Sequence, residues 1–437
     1  MEKQKIKKLT VYVLFFVVFL AYFILRLPNL RNSLYRGITA PSDLAQDYIA
    51  ARQIRLGKTV YPSDFAQMNK ELLQSFGSQL NPGIQFRNAH PPFAAILMYP
   101  FSFIGFQNAA VIYTLITIVG MLMVIFLLFK TENIPFYYAP LMVLFIAAWP
   151  PFQVNLYLGQ ISVLITLFVA AGWFFYKKGN QILAGIFIAL AAMIKFYPGI
   201  LIVYFLINKK YKAFIASLIG VGIIFVLTIV ISKHDWIHFI IDVIPQDVQY
   251  WQTNMENLSI NGFFSKLLLP MSSYNNTKQL AVLVSPFLRT TYVYVATGLL
   301  VLFVILNMKK YDNDLGFSLF LILAMLISPI CWNYYFTLLL ISFVVLIKEL
   351  LKKNNTYEIL LFVASLLLMS VDAFSSDFRK MIYMAHIYAF GPHSSYIDTL
   401  TFYSLQFYGL VILLLLNFHL ITKHVKNDPE HNQPMNQ

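Results

Sequence analysis

Two carboxylates, Asp43 and Asp47, stand four residues apart in the first polar stretch of a largely apolar chain, PSDLAQDYIAARQIRLGKTVY at 41–61. If that stretch is helical, both project from one face. Paired acids can divide labour, one acting as a base while the other orients or tunes it. The plainer alternative is a solvated loop in which Pro41-Ser42-Asp43 starts a helix and Asp43 caps it. Arg52 and Arg55, three apart on the same expected helix, have the spacing to hold an anionic group or to anchor at lipid headgroups.

Lys195 is the other chemical outlier. It follows the run ILAGIFIALAAMI, and a lysine there is costly in hydrocarbon unless it meets water or an anion such as phosphate. Snorkelling to the interface is its bland reading. His90 precedes Pro91 and Pro92, which favour extended backbone, and is a candidate ligand, proton carrier or turn residue. The eight histidines show no HExxH, and the one HxxxH spacing, His234 and His238 in HDWIH, lacks the motif's glutamate, so no metal site is expected. No Walker-type glycine loop occurs either, which argues against a nucleotide-driven pump.

The elements that must position these groups are membrane helices. Hydrophobic residues make up 59% and charged residues 12%, against about 25% charged in soluble domains. Repeated apolar runs near the length of about 20 residues needed to span a bilayer make the fold an all-α polytopic bundle. The net charge of +13 resides in lysine clusters at helix ends, which set topology, and no contiguous basic surface suggests nucleic acid. The single cysteine, Cys331, cannot form an intrachain disulfide.

Placing the lysine clusters inside puts both termini in the cytoplasm and gives about 12 spans in one transmembrane domain, 1–426. The first helix is expected at about 9–27. A first outer loop follows at 28–106, with a re-entrant or interfacial piece at 93–106, and a second outer loop at 232–290. Residues 181–208 are bracketed by lysines at both ends, which predicts two short helices meeting at Lys195–Pro198. The tail 427–437 is expected to be disordered. This topology gathers Asp43, Asp47, Arg52, Arg55, Arg87, His90, Asn155, Gln160, Lys195, Asn257, Ser259, Asn261, Trp332 and Asn333 on the outer side.

An ordered set of motifs resembles the polyprenol-phosphate-mannose-dependent α-mannosyltransferases, membrane enzymes of the GT-C class. The set comprises SDLAQDYIAARQIRLGKTVY (42–61), HPPF (90–93), GQISVL (159–164), AGIFIALAAMIKFYP (184–198), NLSINGF (257–263) and SPICW (328–332). The resemblance implies a hexose, mannose in the family, transferred with inversion from a polyprenyl phosphate at the extracytoplasmic face of the cell membrane. It implies Asp43 as the base for the acceptor hydroxyl, with Asp47 secondary. The donor phosphate and sugar would fall to Lys195, Tyr197, Gln160, Arg52, Arg55, His90, Trp332 and Tyr335. The acceptor, a glycolipid or glycan, would fall to Asn257, Ser259 and Asn261. No metal and no cofactor are implied. Some family members carry histidine after the SP..W segment, where this chain has Asn333, Tyr334 and Tyr335. The segment 373–400, with Asp377, Arg379, His386 and His393, is a candidate acceptor-facing loop by position. The competing reading is a transporter or lipid flippase, which would place polar groups near the bilayer midplane on paired repeats. No repeat is evident. A scaffold gives no reason for Lys195 beside a helix break.

Overall fold

The computed structural model describes residues 2–61, 88–232, 235–268, 294–295, 297–302, 314–353, 355–371 and 400–426. The tail 427–437, Arg87, the part of the second loop from 269 to 290 and most of segment 373–400 lie outside the described residues. Among the described residues every regular element is helical.

The chain divides into two compact units, one of Met1–Phe196 with Ala216–Val243, the other of Tyr197–Ile215 with Ile244–Gln437. The first unit opens with α1 (Glu2–Thr39), α2 (Ser42–Arg55), α3 (Pro92–Leu97) and α4 (Phe106–Glu132). It continues with α5 (Ala139–Ala148), α6 (Pro150–Leu158), α7 (Ser162–Lys177) and α8 (Gln181–Ile194). The second unit holds α9 (Ile200–Ile207), and α10 (Tyr211–Ser232) begins there and continues into the first. A short α11 (Asp235–His238) and a π-turn, Phe239–Val243, end the first unit. The second unit then runs through α12 (Ile244–Trp251), α13 (Ile260–Leu268), α14 (Asp314–Ile327), α15 (Leu340–Lys353), α16 (Thr356–Met369) and α17 (Leu405–Lys426).

Membrane character shows as exposed apolar stripes. On α4, Ile112, Leu115, Ile116, Val119, Leu122, Met123 and Phe126 face outward while Ala109, Ala110, Tyr113, Thr117 and Val124 are buried. On α10, Ile219, Ile223, Val226, Leu227 and Val230 are exposed. In water such stripes would be unstable; against lipid tails they cost nothing.

Among the described residues four helices are long and apolar enough to cross a membrane, or five if a pair bent by 60°, Phe136–Ala148 and Pro150–Leu158, forms one span. The lysine pattern predicts about twelve; among the described residues breaks divide several apolar runs into helices of 10–17 residues, and most of the helix expected at 291–308 lies outside the described residues. The physical causes are local. Trp149 is extended (φ −77°, ψ 125°) ahead of Pro150, as the ring of a following proline demands. Gly159, at φ 68°, ends α6 in the left-handed region. The expected break near 195–198 is present, but it falls at Lys195 itself, which is extended (φ −146°, ψ 140°). A 3-10 turn, Tyr197–Gly199, follows it. The expected interfacial piece at 93–106 is α3 followed by a 3-10 turn, Tyr99–Phe103.

The first helix corrects one boundary. Instead of stopping near 27 the helix continues through Pro28 to Thr39, so the polar residues 28–39 are helical and the chain first leaves the helix at Ala40. Packing overrides the proline: at Gly37 the backbone of α1 comes so close to α6 that an added Cβ would lie 2.5 Å from the Leu156 carbonyl oxygen. Gly37→Ala is therefore expected to lower the thermal unfolding midpoint of the detergent-purified protein, at a cost of about 1–3 kcal/mol. Gly222→Ala in α10, where a Cβ meets nothing within 4 Å, should leave the midpoint unchanged.

Candidate functional site

In the first unit α2 forms as expected, and its start is specified by Pro41 in extended conformation ahead of Ser42. Asp43 is thus in the first turn rather than at the cap position. There a carboxylate also benefits from the helix dipole. Ser42 Oγ donates to Asp43 Oδ1 at 2.9 Å, and Gln160 Nε2 donates to Asp43 Oδ2. The other end of the same amide, Gln160 Oε1, accepts from Lys195 Nζ at 3.1 Å. A carboxylate, an amide and an ammonium therefore form a continuous chain.

Two backbone devices build it. Gly159 ends α6 with positive φ, and a Cβ there would fall 2.7 Å from Leu44 Cβ and 2.8 Å from Pro41 Cβ. Only glycine lets the α6 terminus meet the start of α2 so closely, and this sets the next residue, Gln160, against Asp43. Lys195 turns inward because the helix breaks at that residue, and its neighbour Phe196 stacks on Trp236 at 6.2 Å.

Burial dominates the electrostatics. It raises the Asp43 carboxyl above its ordinary pKa, against the lowering effects of Ser42, His90, Gln160 and Lys195. It lowers Lys195 to about 8, against the raising effects of Asp47 and Asp43. A carboxylate made more basic and an ammonium made more acidic are suited to proton handling near neutrality.

Asp47 lies one turn further along α2, 1% exposed, with Oδ1 2.7 Å from His90 Nδ1. Arg55 Nη1 donates to the Ser102 carbonyl, and its guanidinium lies over Phe103 at 5.3 Å. Arg52 is half-buried on α2, and its charge acts on Tyr48. Asp235, not singled out by sequence, accepts from Thr59 Oγ1 at 2.5 Å and from the Val60 amide at 3.3 Å. It braces the end of the 41–61 stretch.

The second unit holds the remaining sequence candidates. Tyr197 stacks on Tyr335 at 4.7 Å, Tyr335 meets Tyr334 edge-on at 5.1 Å, and Trp332 continues the row to Trp251 at 5.3 Å. Asn333, beside them, is 1% exposed, and neither side-chain amide atom has a hydrogen-bond partner among the described residues. Asn257 and Ser259 are fully buried and used internally. Asn257 Oδ1 accepts from the Ser259 amide at 3.2 Å, Ser259 Oγ at 2.9 Å and the Cys331 amide at 3.1 Å. Its Nδ2 donates to the Trp251 and Pro329 carbonyls. Asn261 Nδ2 also donates to Pro329, at 3.0 Å. These three residues clamp segment 257–262 to 329–331, and the structure exposes neither Asn257 nor Ser259 to an acceptor.

Sequence reasoning passed over Lys266. It is 2% exposed and its Nζ donates to the carbonyls of Met255 (3.1 Å), Asn257 (3.0 Å) and Tyr403 (3.4 Å). The available signal was its place on a strongly amphipathic helix, INGFFSKLL.

Among the described residues, then, an all-helical chain with exposed apolar stripes carries a half-buried carboxylate linked through an amide to a buried ammonium. The sequence model of glycosyltransferase family 87 matches residues 88–329, more than half of the chain, and the chain belongs to that family. It is accordingly a membrane glycosyltransferase, and a sugar donor and an acceptor are its substrates. The matched span includes His90, Gln160, Lys195 and the 257–262 clamp, whereas Asp43 and Asp47 precede it and Trp332 and Tyr335 follow it. No curated protein matches the chain.

Burial lowers Lys266 to about 7, against the raising effect of Glu256. A lysine with a depressed folded-state pKa binds fewer protons folded than unfolded between about 7 and its ordinary 10.5, so stability rises with pH across that window. The parent protein is expected to show a higher unfolding midpoint at pH 9 than at pH 7. In Lys266→Met this rise should shrink.

Proposed function

We propose that this protein transfers a hexose, mannose first among the candidates, from a polyprenyl-phosphate donor to a lipid-linked or polysaccharide acceptor. The reaction takes place at the extracytoplasmic face of the cell membrane and inverts the anomeric centre. The observation that carries the reading is the hydrogen-bonded series Asp43–Gln160–Lys195. Asp43 takes the proton of the acceptor hydroxyl, whose oxygen attacks the anomeric carbon. The bond from that carbon to the phosphate oxygen breaks with its electron pair going to the phosphate, and Lys195 stabilises the charge that develops there. Gln160 keeps base and ammonium from closing on each other, so one serves the attacking oxygen and the other the departing one. An inverting displacement needs these two groups on opposite sides of the reacting carbon.

Trp332 and Tyr197, both half-buried, are the members of the aromatic row on which a sugar ring or a prenyl chain can stack, backed by the buried Tyr334 and Tyr335. The twelve-span topology with both termini cytoplasmic remains part of this proposal, its shorter helices pairing across breaks to complete spans. One transmembrane domain over 1–426 belongs to it as well. A transporter finds no comparable support, since family membership points to sugar transfer.

The test incubates purified full-length protein with a panel of radiolabelled polyprenyl-phosphate sugars and lipid from the source membranes, and identifies the labelled product. Asp43→Asn should lower transfer by at least about 10²-fold with folding intact; a variant that kept parent activity would remove the assigned base.

The pH profile of kcat/KM tests the pair together. Activity should fall as pH drops through the raised Asp43 pKa, and fall again as pH rises through about 8, where Lys195 loses its proton. Lys195→Arg, whose guanidinium stays protonated, should move the alkaline limb to higher pH. An unmoved limb would assign it to another group.

A further inference from the structure

Asp47 and His90 form a buried pair that the mechanism above leaves unused. Asp47 is 1% exposed and His90 7%, with 2.7 Å between Oδ1 and Nδ1. An ionised carboxylate can only accept, so Nδ1 carries the proton and Nε2 is left as the acceptor nitrogen. Among the described residues Nε2 has no hydrogen-bond partner.

The imidazole is held from every side. The His90 amide donates to Asn88 Oδ1 at 3.1 Å, and the His90 carbonyl accepts from Tyr61 OH at 2.5 Å. Pro91 and Pro92 fix the backbone that follows. Asn88 in turn donates to the Val60 carbonyl and accepts from Gln46, both at 3.4 Å. His90 is thus held by one side-chain and two backbone hydrogen bonds, and Asn88, which accepts one of them, is itself held by two more. The pair also lies beside the base: Asp43 and Asp47 are one helical turn apart on α2, so Asp47 holds the ring on the Asp43 face of that helix. Charge on the ring acts on the Asp43 carboxylate.

The transfer reaction creates a need for such a group. A phosphodiester carrying one negative charge becomes a phosphomonoester carrying two, and the acceptor hydroxyl loses its proton, so each turnover releases one proton. Asp43 holds it first, in a half-buried position that disfavours its recharging.

We propose that His90 is the outlet for that proton, with Asp47 as the positioning residue that fixes its tautomer. This rests on Asp43 as the base. After the new glycosidic bond forms and the bond to phosphate breaks, the proton passes from the Asp43 carboxyl to His90 Nε2, restoring the carboxylate, and leaves the imidazolium for water. Nδ1–H stays on its bond to Asp47 throughout, stabilising the imidazolium. No oxidant, metal or co-reactant is involved.

The experiment uses full-length protein and whichever labelled polyprenyl-phosphate sugar the parent turns over. His90→Gln can still donate to Asp47 but cannot carry a proton, and it should keep the unfolding midpoint and donor KM while kcat falls about 10²-fold. In His90→Ala added imidazole should restore part of the lost kcat, which a purely structural role would not allow. Asp47→Asn should lower kcat with donor KM unchanged. Parent-like kcat in His90→Gln would overturn the proposal. So would a raised donor KM at unchanged kcat, which would make His90 a donor contact, or a folded His90→Ala that imidazole does not rescue. If His90→Ala fails to fold, His90→Gln decides. Asp43→Asn separates the two readings. Should it stay active, the base assignment falls; should it be dead while His90→Gln is unimpaired, only the outlet falls.

Discussion

A buried carboxylate and a buried ammonium within reach of one another ordinarily close into an ion pair, and their reactivities cancel. Here the Gln160 carboxamide stands between them, its NH2 on Asp43 and its oxygen on Lys195. Each charge is satisfied through a neutral dipole and keeps its own character. The pKa of each is moved by burial toward neutrality rather than fixed by its partner. Most of the first unit can be read as the scaffold for that one side chain. Gly159 brings α6 onto the start of α2, and the break after α8 turns Lys195 inward.

Breaks in apolar helices recur because a membrane enzyme must deliver polar groups without leaving backbone unsatisfied in lipid. The 60° bend between α5 and α6 precedes the turn that carries Gln160. The extended Lys195 ends α8, and a 3-10 run, Asn333–Leu339, precedes α15. Each break lies beside residues that carry chemistry or clamp a loop. The lengths of the helices follow from that placement and not from bilayer thickness alone, so a count of spans by length understates the apolar runs.

The second unit uses its polar residues differently. Asn257, Ser259 and Lys266 together direct donors at backbone carbonyls of residues 251, 255, 257, 329 and 403. They hold an irregular segment rigid where no helix could supply its hydrogen bonds. Trp332, stacked on Tyr334, follows directly on the clamped segment, so the clamp fixes where this aromatic row begins.

The class was legible in composition, because 59% hydrophobic residues gathered in runs near the span length of about 20 residues point to helices packed in lipid. The chemistry-bearing residues of 41–61, GQ at 159–160 and Lys195 also stood out, since polar groups in apolar surroundings are costly and persist where they are used. Local signals placed the break near Lys195 and the short helical pieces within 93–106. What the sequence could not settle was partnership. Asp43 and Gln160 are 117 residues apart, and only the close approach at Gly159 brings them together. Asp47 received a partner, His90, that spacing does not reveal. Arg55 meets the Ser102 carbonyl and Asn257 joins segment 257–262 to 329–331, contacts across 47 and more residues that spacing does not reveal either. The sequence alone determined which groups are too expensive to bury idly. Tertiary packing decided which of them meet, because hydrogen bonds act over about 3 Å and such distances are set only when helices far apart in the chain dock.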